Sequence, residues 1–212
     1  MADSNDELKA QNKLWLAGFA ALHLVIFWGL STKGSVDFSG LRSIADTVLS
    51  GKGFIAAGSV FLVTILGGVF PDHFKAVLVF WRWRHPLPGC RAFTVIAKAD
   101  PRIDFGELER HLGTLPTDPA QQNRLWYKVY KTHANNPAVT QAHRVYLLTR
   151  DITCLSALFL LVLPVSLYLA GATLTLVRNY GLALLVIYMI VAVSSRNYAN
   201  RFVTNVLALL GT

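Results

Sequence analysis

The chain has 212 residues, 53% of them hydrophobic and only 15% charged, with a mean hydropathy of +0.43. A water-soluble domain carries roughly 25% charge, so much of this surface is built to meet something other than water. Two cysteines, Cys90 and Cys154, supply neither a disulfide framework nor a cysteine-rich zinc site. The net charge of +8 leaves two readings, Lys and Arg gathered on one side of a membrane or a patch for an anionic partner.

In chain order, Met1 to Lys13 is polar, and the first apolar run follows from Leu14 to Leu30. It lacks the basic start and the small-residue cleavage site of a signal peptide, so it reads as a retained helix. Trp15 and Trp28 stand near its ends as interface anchors. His23 lies in its middle. An ionisable group in hydrocarbon is expensive and often functional. The alternative is a neutral imidazole bonded to a neighbouring helix, with Ser59 and Thr64 as partners.

A bilayer-spanning helix needs about 20 mostly apolar residues. Gly53–Phe70 reads as a second span, with Gly67-Gly68 inviting close helix approach. Ile152–Ala170 reads as a third, kinked at Pro164, and Tyr180–Val193 as the core of a fourth. Twelve Lys and Arg residues lie between the second and third spans, against three in the loop Ser31–Lys52 and one, Arg178, before the fourth. The basic side is the cytoplasmic side, so the expectation is an inner-membrane protein with both termini in the cytoplasm. The resulting fold class is all-α. Residues 1–70 form the N-terminal tail and two spans, 71–151 a cytoplasmic helical domain built on extensions of spans two and three, and 152–212 two further spans with a C-terminal helical extension.

Within 71–151, Pro71–Arg84 reads as a helix ending in Trp81-Arg82-Trp83-Arg84-His85. Alternating Trp and Arg at a membrane exit lets rings lie at the headgroups while guanidinium groups reach phosphates. Pro86-Leu87-Pro88-Gly89 breaks that helix. Phe93–Ala97 has strand composition but no partner strand. Asp104 caps a short helix that Gly113 closes, Asp118-Pro119 opens a helix to about His133, and Asn136-Pro137 starts one that runs into the third span.

Two stripes carry the candidate chemistry. On the helix Pro119–His133, Arg124, Lys128 and Lys131 share one face, and Trp126, Tyr130 and His133 another. Basic and aromatic stripes side by side hold the phosphates and bases of a nucleotide or oligonucleotide. Arg91, Lys98 and Arg102 are available to the same surface. The alternative makes the rings core and leaves the basic stripe in solvent or against anionic lipid. Farther on, Ser194, Asn197, Arg201 and Asn205 form a polar stripe, with Phe202, Val203, Val206, Leu209 and Leu210 as its apolar complement. Such a helix lines a water-filled axis in an oligomer, or else lies at the interface or caps the helical domain.

Catalysis finds little footing. The chain has no His-Glu-x-x-His, no Gly-x-Ser-x-Gly and no P-loop. Cys90 and His85 are close in sequence without an orienting third group, and Asp100, Asp104, Glu107 and Glu109 read as caps and surface charge. The expectation is a non-enzyme with no cofactor and no metal.

The basic-aromatic helix from Arg124 to His133 and the polar stripe from Ser194 to Asn205 give the chain a layout that resembles the small multi-span membrane effectors of bacterial antiphage defence systems, the Hailong channel type among them. The resemblance is one of architecture over the whole chain, without a diagnostic signature. It implies a homo-oligomeric pore or membrane-disrupting effector controlled by a nucleotide or oligonucleotide. The expected partners are then the lipid bilayer, further copies of the chain, that ligand and a cytosolic signalling enzyme. The competing expectation is a non-conducting scaffold that recruits a cytosolic protein.

Overall fold

The computed structural model describes residues 2–33 and 70–210, with side chains from Gln11 to Ser31 and from Phe70 onward. Among the described residues the regular structure is all helical. The helices are α1 (Ala2–Lys33), α2 (Asp72–Phe80), α3 (Phe105–Leu112), α4 (Pro119–His133), α5 (Pro137–Leu169) and α6 (Leu174–Ala208). Between α2 and α3 the chain makes a 3₁₀ turn at Pro88–Arg91, a π turn at Ala92–Ile96 and a second 3₁₀ turn at Ala97–Ala99. Three helices are long and apolar enough to cross a membrane, Gln11–Ser31 within α1, then α5 and α6. This is therefore a multi-pass membrane protein. The expected span Gly53–Phe70 lies outside the described residues except for Phe70.

The chain divides into two compact units, and the division passes through α5 and α6. One unit combines α1 with residues 151–191. Its packing centres on rings, with Phe159 lying 5.3 Å from His23 and 6.3 Å from Phe19. Pro164 sits inside α5 without ending it. The turn into α6 needs a left-handed residue, and Gly171 supplies it at φ +87°. The Ala172 amide then donates back to the Leu167 carbonyl at 3.2 Å, which satisfies an orphan carbonyl of the helix end.

The other unit combines Asp72–Arg150 with Ala192–Thr212. The C-terminal extension of α6 therefore groups with the helical domain and not with the spans. Local chemistry sets the helix starts as the sequence predicts. Asp104 accepts from the Gly106 and Glu107 amides, Asp118 from Gln121, and Asn136 from Ala138. Gly113 takes φ +75° beyond α3.

Two expectations change. The helix expected to reach Arg84 ends at Phe80, because Trp81 turns left-handed at φ +54° while its amide still bonds the Val77 carbonyl at 2.8 Å. The Phe93–Ala97 stretch of strand composition is helical. Gln122 on α4 explains how: its buried Oε1 accepts from the Phe93 amide at 3.1 Å, the Thr94 amide at 3.2 Å and the Thr94 hydroxyl at 3.2 Å. Its Nε2 donates to the Thr117 carbonyl at 2.9 Å. One side chain thus caps the free amides at the start of the π turn, which would otherwise be buried without partners. Gly89 lets the preceding turn lie on α4, since a Cβ there would meet Asn123 Oδ1 at 2.4 Å and the Trp126 ring at 2.8 Å.

Phe202 of α6 is the centre of this unit's core. Its ring stacks on His143 at 4.6 Å and meets the edges of Trp126 and Tyr130, each at 5.2 Å. Ala199, Val203, Val206 and Leu207 complete the buried face of the α6 extension.

Candidate functional site

The residues singled out in the sequence fall at three places on the helical unit. The first is the outer face of α4. Arg124 and Lys128 are exposed there and make no hydrogen bond or ion pair among the described residues. Tyr127, 47% exposed, lies between them, with the Lys131 ammonium 5.1 Å from its ring centroid. Positions 124, 127, 128 and 131 follow i, i+3, i+4, i+7, so the three cations and the exposed ring share one face. Trp126 and Tyr130 take the core alternative instead, buried against Phe202 on the opposite face. The Tyr130 hydroxyl lies 3.2 Å from His143 Nδ1, and burial pushes its phenol up from the ordinary value. Sequence reasoning missed Tyr127. Its signal was the i+3 spacing from Arg124, masked by the larger Trp126 beside it.

The second place is a shallow cavity of about 300 Å³ lined by Val95, Ile96, Asp100, Arg102, Arg201 and Thr204, among others. Arg102, expected in the ligand set, grips Asp100 with Nε at 2.9 Å and Nη2 at 2.7 Å. That pairing holds the Asp100 carboxyl well below the usual carboxylate range. Asp100 is thus a fixed partner and not the plain surface charge its sequence context suggests. Arg102 also reaches α6, at Thr204 Oγ1 (3.1 Å) and Asn205 Oδ1 (3.3 Å). Of the polar stripe on α6, Asn205 is therefore engaged inside the unit and also donates to the Ala138 carbonyl at 3.5 Å. Ser194 is half-buried, while Asn197 and Arg201 are exposed. Arg201 contributes its guanidinium to the cavity wall and makes no ion pair among the described residues.

The third place follows α2. The Arg196 guanidinium stacks on the Trp81 ring at 3.6 Å, and its Nε donates to the Val79 carbonyl in the last turn of α2. A cation at a helix C-terminus meets the negative end of the dipole. This support sustains the left-handed Trp81, a conformation that costs a non-glycine residue roughly 1–2 kcal/mol. His85 is left-handed as well, at φ +50°. Arg91 lies 5.4 Å from the Phe80 ring centroid, and its Nε is buried without a hydrogen-bond partner among the described residues. Burial first, then the charges of Arg82 and Arg196, lower its pKa.

Cys90 is buried, and burial pushes its thiol up, away from the thiolate a nucleophile needs. In the membrane unit His23 is buried, with Nδ1 2.9 Å from the Phe19 carbonyl. Its expected partners Ser59 and Thr64 lie outside the described residues. No family model, curated protein or solved structure matches the chain.

Proposed function

We propose that this protein is a multi-pass membrane effector whose helical unit takes an anionic, nucleotide-type ligand on the outer face of α4. The observation that carries the reading is the exposed Tyr127 ring set among Arg124, Lys128 and Lys131. An aromatic face stacks a base, and flanking cations meet its phosphates. The same helix offers a route onward. Its inner face, through Trp126 and Tyr130, bears on Phe202 of α6, and α6 is one unbroken helix that also carries an apolar membrane window. In this reading the chain spans the inner membrane four times with both termini cytoplasmic, assembles with copies of itself, and answers a cytosolic signalling enzyme. Ligand binding shifts α6 and opens a pore, with Asn197 and Arg201 as the accessible members of its lining.

The test is conductance of the purified full chain in a planar bilayer, with adenine and guanine nucleotides and short RNA oligomers added to one side. The expected result is a ligand-dependent current that R124E/K128E and Y127A abolish without loss of membrane insertion, and that N197L alters. An unchanged response in well-folded R124E/K128E would overturn the binding face.

The scaffold reading has one observation in its favour. Thr204 and Asn205 are tied to Arg102 inside the unit, which gives part of the polar stripe a structural duty. That reading expects no current with any ligand and a stable cytosolic protein partner.

A further inference from the structure

The arginine cluster beyond α2 lies outside the lining of the cavity at Arg201, and its position along α6 indicates what it meets. The exposed apolar residues Leu182, Leu185, Val186, Met189, Ile190 and Val193 recur at helical spacing and form one stripe down α6. Val193 is the last of them. Arg196 is the next position on that stripe, about 4.5 Å farther along the axis. An exposed apolar surface thus passes within one turn from aliphatic side chains to a guanidinium, the order of groups met on leaving hydrocarbon for headgroups.

Other groups gather at the same level. Trp81 lies under Arg196, and Trp81 and Trp83 are both exposed. Arg82 is exposed between them. Arg196 sits on Trp81 and bonds the Val79 carbonyl, Arg91 lies 5.4 Å from the Phe80 ring centroid, and Arg82 follows Trp81 in the chain, so three guanidinium groups of like sign gather around residues 79–82. The carboxylate of Asp118 caps α4 through Oδ1. Arg91 brings a buried Nε with no partner among the described residues. Like charges held together around an unsatisfied buried donor call for an anion that accepts several hydrogen bonds at once, as a phosphate does. Exposed indole rings on both sides of Arg82 suit the interfacial zone where such a phosphate carries acyl chains.

We propose that Arg82, Arg91 and Arg196, framed by Trp81 and Trp83, form a binding site for the phosphate headgroup of an anionic phospholipid. It fixes the helical unit to the bilayer surface on the basic side. The site is separate from the nucleotide-type face and stands or falls independently of it.

The test compares retention of phosphatidylglycerol and phosphatidylcholine by the purified full chain in neutral detergent, read by native mass spectrometry and by lipid-dependent thermal protection. Phosphatidylglycerol is expected to bind preferentially. R82Q/R91Q should weaken it about thirtyfold, and R82Q alone, an exposed change that leaves packing intact, about fivefold. The charge-matched control K98Q/R110Q should retain wild-type affinity. Equal losses in R82Q/R91Q and the control would reduce the effect to net charge and overturn the site. Protection by millimolar inorganic phosphate equal to that by phosphatidylglycerol would overturn the lipid as its ligand.

Discussion

Arg102 donates from Nη2 to the Thr204 hydroxyl at 3.1 Å while the same nitrogen holds Asp100 at 2.7 Å. The contact ties the turn that precedes α3 to the extension of α6. A cation read from the sequence as part of a ligand set is thereby also a structural tether, and it fixes where the wall of the Arg201 cavity stands.

The Asp100 carboxyl is held below its unfolded value chiefly by hydrogen bonding from Arg102. Its contribution to stability is present in full above the unfolded pKa of about 4 and is lost as pH falls toward the folded value. D100N should therefore melt earlier than wild type at neutral and mildly acidic pH, and the gap should close below about pH 4. Circular dichroism melts across that range in detergent check it, and a gap that persists in acid would mean the pairing contributes nothing.

Gln122 satisfies three donors and one acceptor from a fully buried position. Q122L keeps the approximate volume and removes all four bonds, stranding the Phe93 and Thr94 amides. The expected loss is roughly 2–4 kcal/mol. Hydrogen exchange localises the effect, with the amides of residues 93 and 94 losing protection first.

Gly89 is fixed by what lies opposite it. In G89A the new methyl meets the Asn123 amide and the Trp126 ring, and the expected cost is about 1–3 kcal/mol. Trimming the opposing side chain in G89A/N123A should recover part of it. A double-mutant cycle from thermal melts reads the coupling, and strict additivity would show that the two positions do not compete for space.

Phe202 joins α4 to α6 through the rings of Trp126, Tyr130 and His143. F202A empties the centre of the core and should destabilise the helical unit by about 3–5 kcal/mol. F202L, a smaller change, should leave the unit folded yet blunt the current evoked by ligand on α4. A full response in F202L would remove this contact from the signalling route.

By itself the sequence determined the helical class, three of the apolar stretches, and the helix boundaries at Asp104, Gly113, Asp118 and Asn136. Those features depend on local spacing and on side chains that bond amides two or three residues away, so they are written in consecutive residues. Tertiary structure decided the rest. Helix α4 carries rings on both faces, so periodicity leaves open whether Trp126 or Tyr127 is buried, and that choice falls to Phe202, which arrives from a distant stretch of chain. The α6 extension offers one apolar and one polar face to any neighbour, and it is the helical unit that takes up the apolar one. No sequence pattern announces that Arg196 stacks on Trp81 and meets the last turn of α2, because a guanidinium on a long stem selects its partners only after the backbone has brought them within reach.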